Sequence, residues 1–153
     1  MEEGMIQLLA MAARVACARM TTQRLAALRD SVEQASCLAR SQWERKAAAH
    51  AEIFTLLAEV VDDPGLTPVL QDGAEGMRDL MLAVGRSADG MIVGSRQRLL
   101  AYIRAGDGEG AALEMEDHLR VLRFMWRLAY CSAGATRTLA PVGAASSPAR
   151  LKG

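Results

Sequence analysis

Apolar residues recur at three- and four-residue spacing through nearly every segment of the chain, and this periodicity constrains the fold more than any other feature. Between residues 25 and 39 the helical repeat is occupied by Leu25, Leu28, Val32, Ala35 and Ala39. The composition agrees, because 28 Ala, 19 Leu and 9 Met stand against 9 Val and 4 Ile, and the first three favour helices. The sequence predicts an all-α fold and argues against a β-barrel or a Rossmann sheet.

Capping and turn residues divide the chain into helical segments. Thr21 or Thr22 is predicted to cap the second helix, and Ser41 with Glu44 has the spacing of a capping box that starts the third. The run Asp62-Asp63-Pro64-Gly65 ends that helix. Besides the second helix, we expect helices over about residues 5–20, 42–61, 66–87, 88–105 and 109–131. Short connections join these segments into an antiparallel bundle of six helices, or seven if a further break falls near residues 85–90.

The same reading predicts one folded domain over residues 1–131 and a disordered tail over residues 132–153. The tail consists of Ala, Gly, Ser, Pro and Thr with scattered Arg, a composition that buries little apolar surface. The three cysteines, Cys17, Cys37 and Cys131, form no metal-binding or disulfide pattern and lie among apolar residues, so they are interpreted as small core side chains. We expect a cytoplasmic protein, since no apolar run is long enough to span a membrane and the N-terminus is acidic, unlike a signal peptide.

Charge and motifs exclude several functional classes. The 18 basic and 18 acidic residues cancel, and no helix-turn-helix with a basic recognition helix is present, so we expect no direct nucleic-acid binding by this chain. Phosphate-binding loops and the motifs of serine hydrolases and zinc proteases are missing as well. The chain is therefore not expected to be an enzyme.

Three polar residues occupy apolar helix faces and are the candidates for a binding site. His50 precedes Ile53 and Phe54 by one turn, and His118 lies between turns of apolar residues. These histidines are either core-edge residues that each make one hydrogen bond, or contacts to a ligand or metal in a shared cavity. Two imidazoles alone are too few for a tight zinc site. Arg96 either extends to solvent or places its guanidinium in a pocket, where it would bind a carboxylate or phosphate.

Four phrases of the sequence resemble a known domain. They are AARVACARMT at 12–21, LAALRDSVEQ at 25–34, HAEIFTLLAEVVDDPGL at 50–66 and LLAYIRAGDGEGAALEMEDHL at 99–119. Together they are similar to the FCD domain, the effector-binding and dimerisation domain of FadR-type GntR transcription regulators. The resemblance implies a helical bundle like the C-terminal domain of FadR, a homodimer, and a cavity for a small organic acid or related metabolite.

In many members of that family the cavity holds a divalent metal on one Asp and three His, and the resemblance places four residues of this chain at those positions. His50 falls on the Asp, Phe54 on the first His, Arg96 on the second and His118 on the last. The metal site is degenerate, with His50 and His118 as its only candidate ligands, so we expect no metal cofactor. The four residues are predicted to bind the effector, and Arg96 favours an anionic one.

The resemblance leaves other functions open. One alternative is a dimerisation or interaction module that has lost ligand binding, and another is a small helical-bundle enzyme. Regulators of this family carry an N-terminal winged helix-turn-helix, whereas Met1 here lies almost at the start of the first FCD-like helix. The chain is therefore either a fragment or a free-standing effector domain.

Overall fold

The structure is a computed structural model that describes residues 1–137, with side chains up to residue 131. Within this part the chain forms six α-helices and two short 3₁₀ turns, which confirms the all-α bundle. The helices are α1 (Glu3–Arg19), α2 (Thr22–Cys37), α3 (Trp43–Val61), α4 (Thr67–Val84), α5 (Asp89–Ala105) and α6 (Gly108–Arg137). The 3₁₀ turns, Arg40–Gln42 and Arg86–Ala88, lead into α3 and α5.

Three helix ends follow from the residues at them. Thr21 is the N-cap of α2, because its hydroxyl oxygen accepts a hydrogen bond from the backbone N–H of Arg24 at 3.2 Å. Helix α3 ends as predicted at Val61, where Asp62 adopts a left-handed conformation with φ 46°. The carboxylate of Asp63 then accepts hydrogen bonds from the backbone N–H groups of Gly65 and Leu66. Gly106, at φ 71°, ends α5 in the same left-handed region.

Two predictions about helix ends are wrong. The capping box of Ser41 and Glu44 does not form, since Ser41 lies inside the 3₁₀ turn and α3 starts after Gln42 without a side-chain cap. The backbone N–H of Gln42 already donates to the carbonyl of Ala39, so the chain is turning where an N-cap would be extended. The last helix continues to Arg137, past the predicted end at residue 131. The prediction of a disordered tail falls mostly on residues 138–153, outside the described residues.

The interpretation of the cysteines as core side chains is wrong for two of them. Cys37 and Cys131 are exposed, and Cys17 is only partly buried. Cys37 is the last residue of α2, and Cys131 lies in the part of α6 that extends past the bundle. An apolar sequence neighbourhood therefore did not translate into burial at helix ends.

The first and last helices pack against each other in antiparallel orientation. Glu3 pairs with Arg120 and Arg123, while Arg14 at the other end of α1 pairs with Glu109. Helix α4 approaches α1 at Gly73, where a Cβ atom would lie 2.9 Å from the sulfur of Met5. All six helices contribute to one core, whose fully buried members include Ile6, Leu28, Phe54, Leu57, Met77, Met81, Ile92, Leu99, Met115 and Leu122. Within the described part, no helix has the length and hydropathy needed to cross a bilayer.

Candidate functional site

Three helices place the four predicted site residues in the core. Helix α3 carries His50 and Phe54 one turn apart, α5 carries Arg96, and α6 carries His118. Each of the four is between 1% and 3% exposed, although three of them are polar. Their positions follow from helical periodicity, because Arg96 shares its face with Ile92, Leu99 and Ile103, and His118 is flanked by Met115 and Leu122.

Arg96 points into the bundle, so the alternative that it extends to solvent is wrong. Its guanidinium carbon lies 4.8 Å from the centre of the Phe54 ring, a cation–π arrangement. Its Nε donates to the backbone carbonyl oxygen of His50 at 3.4 Å. Nη1 and Nη2 have no hydrogen-bond partner among the described residues. The side chain is thus anchored at one nitrogen and presents two unused donor atoms to the interior.

The two histidines are also without partners. Neither ring nitrogen of His50 or of His118 makes a hydrogen bond within the described part of the chain. No described residue therefore supplies the single hydrogen bond that the alternative of core-edge histidines requires. Two nitrogens on each of His50, Arg96 and His118 make six buried polar atoms without a partner among the described residues, a concentration that is unusual in a folded core.

The charge states at the site follow from burial. Burial lowers the pKa of Arg96 to about 9, opposed by the nearby carboxylate of Glu114, so the guanidinium remains protonated at neutral pH. Burial, together with the charges of Arg96 and Lys46, lowers the pKa of His50 to about 4, while Asp89 acts in the opposite direction. The pKa of His118 is well below its usual value, mainly because the side chain is buried and to a lesser extent because of the nearby Arg96 and His50. One cation thus faces two neutral imidazoles.

A buried ion pair lies beside His50, and the sequence analysis missed it. Lys46 Nζ lies 2.9 Å from Asp89 Oδ1, without the geometry of a hydrogen bond, and also donates to the carbonyl oxygen of Leu38 at 3.0 Å. Asp89 Oδ1 is 4.0 Å from His50 Nε2. Helical spacing carried the signal, because Lys46 lies one turn before His50 and Asp89 two turns before Arg96. The pair was overlooked because both side chains are charged and so looked like surface residues.

The donor set does not suit a divalent metal. Nowhere in the described chain do three or more His, Cys, Asp or Glu side chains lie close enough together to hold an ion. A guanidinium beside two imidazoles would repel a cation. What the site offers instead is one positive charge with two free N–H donor groups, an aromatic wall, and imidazoles that can each donate and accept one hydrogen bond.

Surface clefts border the bundle, and one of them approaches this site. It has a volume of about 540 Å³ and is lined by the 3₁₀ turn before α3, the start of α3, and the Gly85-Arg86 link. Its basic side chains are Arg40, Arg45 and Arg86. Arg40 Nε lies 3.5 Å from Asp89 Oδ2, and Asp89 in turn neighbours His50. Asp89 therefore lies between a basic side chain of this cleft and His50.

Comparison with known proteins agrees with this architecture. The family model of the FCD domain matches residues 5–121, which include most of α1, all of α2 to α5, the first part of α6 and the four site residues. Searches among curated proteins and among solved structures gave no match. FCD domains are effector-binding regulatory domains of transcription regulators rather than enzymes. The assignment of His50, Phe54, Arg96 and His118 to ligand binding stays a prediction. With more than two thirds of its length matched and an all-α bundle of six helices, the chain belongs to the FCD domain family.

Proposed function

We propose that this chain is the effector-sensing and dimerisation domain of a GntR/FadR-type transcription regulator, and that it binds a small organic acid between His50, Phe54, Arg96 and His118. The observation that carries the proposal concerns Arg96, a residue that is 1% exposed and charged at neutral pH. Its Nη1 and Nη2 have no partner in the described part of the chain. As part of this proposal, the chain acts as a homodimer and does not contact DNA itself.

The energetics of Arg96 favour an anionic ligand. A buried charge without a counter-ion destabilises a fold by several kcal/mol, on the order of the desolvation penalty of one ion. Glu114 is the carboxylate that raises the pKa of Arg96, but it is already paired with Arg98. Arg98 Nε donates to Glu114 Oε2 at 2.8 Å, and Arg98 Nη2 donates to Glu114 Oε1 at 3.0 Å. A carboxylate entering the core would supply the missing negative charge and accept two parallel hydrogen bonds from Nη1 and Nη2.

The neighbouring residues define the rest of the ligand. The Phe54 ring already covers one face of the guanidinium, so the ligand is expected in the plane of the guanidinium. His50 and His118, being neutral, each offer one donor and one acceptor. A short carboxylic acid with a second polar group, such as a hydroxyl or a second carboxyl, would satisfy more of the six buried nitrogens than acetate would.

A metal-free mode of binding accompanies this proposal. At the family's four metal positions this chain has His50, Phe54, Arg96 and His118, which include no carboxylate and only two imidazoles. Arg96 would take over the positive charge that a divalent ion supplies in many relatives. A ligand that binds a metal ion must displace a water molecule from it, whereas a ligand that binds the guanidinium directly does not.

Closed packing supports a second candidate. The four side chains are almost completely buried, so a ligand reaches them only if the helices separate. A chain whose ancestral cavity had collapsed would look similar and would serve as a dimerisation module without an effector. Under the first proposal the bundle opens transiently, and the ligand enters from the cleft beside Arg40 and Asp89.

Calorimetry on the full chain with a panel of acids tests the proposal. The panel contains acetate, succinate, malate and citrate, with chloride, inorganic phosphate and zinc as non-carboxylate probes. We expect one carboxylate to bind and Arg96→Ala to weaken it about ten- to a hundredfold, the loss of one charge-assisted contact. Arg98→Ala is the matched control, since Arg98 is on the same helix but lies on the surface. No carboxylate binding, or equal loss in both variants, would favour the second candidate.

A further inference from the structure

Helix α6 presents an apolar face that the described chain leaves uncovered. Of the eight large apolar side chains that are exposed in the described part, six belong to this helix: Leu113, Val121, Phe124, Trp126, Leu128 and Tyr130. Phe124 is 61% exposed and Leu113 59%. Large apolar side chains that are exposed together on one helix of a globular domain mark an interaction site.

Three of the six exposed residues form one stripe opposite the core, whereas Trp126 and Tyr130 lie on the same side of the helix as the buried Leu119 and Leu122. Leu113, Val121 and Phe124 follow each other at intervals of eight and three residues, so at about 100° per residue they stay on one side of the helix. His118, Leu119 and Leu122 occupy the other side and are buried. From Leu113 to Phe124 the stripe is about 17 Å long, at about 1.5 Å per residue, which is long enough to pair with another helix.

Charges on this stripe identify the partner. Most charged side chains between Glu109 and Arg127 have an ion pair with a described residue, and the two exceptions are Asp117 and Arg127. Both are exposed and they have opposite sign; Asp117 lies four residues before Val121, and Arg127 lies three residues after Phe124. The acidic residues of the described helix all lie before residue 118, and its arginines all follow. Such a pattern is complementary to its own copy in antiparallel orientation.

We infer that α6 pairs antiparallel with α6 of a second copy, about a two-fold axis near residue 122, and that this is the dimer surface. In this arrangement Asp117 of each copy lies opposite Arg127 of the other, and Val121 of each copy lies opposite Phe124 of the other, so each contact occurs two times. This is the isologous contact that a two-fold axis requires. Opposed helix dipoles favour the same orientation. The inference rests on the proposed function only in taking the chain to be a homodimer.

Light scattering and sedimentation of the full chain at about 50 μM test this surface. The wild type is expected to be a dimer, and Asp117→Arg and Arg127→Asp are each expected to raise the dimer dissociation constant at least about tenfold through like-charge repulsion. An equimolar mixture of the two variants restores both attractive pairs and is expected to recover the dimer. Because both positions are exposed, the two variants are expected to stay folded, and circular dichroism checks this.

Two apolar positions provide the matched control. Val121→Lys is expected to dissociate the dimer, whereas Val69→Lys, at similar exposure on α4, is expected to leave it intact. A wild-type monomer would overturn the inference. This holds whether the α6 face is then bound by residues 138–153 or by another protein. A dimer that all α6 variants leave intact would overturn it too, and so would a mixture that stays monomeric. Loss of carboxylate binding alone would refute only the proposed effector site.

Discussion

Arg96 is expected to lower the stability of the ligand-free fold while providing the group that binds the ligand. In the absence of ligand its charge is buried with two unused donor atoms, an arrangement that destabilises the core. A residue retained for packing would be expected to stabilise the fold, whereas one retained for binding would not. Substitution by an apolar side chain of similar length distinguishes these roles.

We predict that Arg96→Met stabilises the ligand-free chain by about 1–4 kcal/mol while abolishing carboxylate binding, because it removes an unpaired buried charge and keeps the volume. Urea denaturation with calorimetry measures both quantities. The control Arg98→Met removes an ion pair whose arginine is largely exposed and should change stability by less than about 1 kcal/mol. A destabilised Arg96→Met would show that the guanidinium serves the fold.

His50 makes the stability of the chain depend on pH. Its pKa is about 4 in the folded chain and about 6.5 when unfolded, so on acidification the unfolded chain takes up the proton first. Stability is therefore fully present above pH 6.5 and is lost as the pH falls towards 4. His118, whose pKa is also lowered, acts with the same sign.

Between pH 7 and pH 5.5, where carboxylates stay ionised, we expect His50 to account for a loss of about 1 kcal/mol of unfolding free energy. His50→Gln should reduce this pH dependence by that amount, whatever its effect on absolute stability. Urea denaturation at a series of pH values measures the slope. Equal slopes in the two proteins would show that the imidazole is already protonated or solvated in the folded state.

At the scale of single helices, the sequence predicted most elements because their signals are local. Apolar spacing located the helices, and Asp62 to Gly65 located the end of α3. The prediction of a capping box was wrong because it rests only on the residue types at positions 41 and 44. The 3₁₀ turn at Arg40–Gln42 depends on the path of the chain between α2 and α3, which those residue types do not determine. The extension of α6 was missed because Ala, Gly and Ser after residue 131 were read as a tail.

The cap of α2 supplies a prediction at this scale. Thr21→Ala should destabilise the chain by about 1 kcal/mol, since it removes the side-chain acceptor for the Arg24 N–H. Thr22→Ala is the control, because Thr22 is equally exposed and makes no cap. Thermal denaturation should separate the two variants by about 2–4 °C. Equal melting temperatures would mean that water replaces the hydroxyl without cost.

The candidate site was only partly predictable. Helical spacing and the family resemblance indicated His50, Phe54, Arg96 and His118. Their missing hydrogen bonds could not be inferred from spacing, because satisfaction depends on which helices face each other in three dimensions. The clearest evidence for a ligand therefore came from tertiary contacts, while the residues that provide it were visible in the sequence.

For the whole molecule, α6 connects the proposed site to the proposed dimer surface. His118 lies on its inner side, one turn from Val121 and less than two from Phe124 on its outer side. A ligand that separates the helices around Arg96 would move α6 as a rigid element, and its partner helix would respond. Effector binding and dimerisation then share one free-energy coupling, which must be reciprocal.

We therefore predict that the best carboxylate of the panel changes the dimer dissociation constant at least about fivefold, the lower end of typical allosteric couplings. The reciprocal measurement compares the carboxylate affinity per site of the dimer with that of the monomeric Asp117→Arg variant. Because each dimer carries two sites, the ratio of dimer dissociation constants at saturation must equal the square of this affinity ratio. Arg96→Ala should dimerise normally but lose the response to the carboxylate. A dissociation constant that the carboxylate leaves unchanged would mean that α6 holds the same position in both states and that the site and the surface work independently.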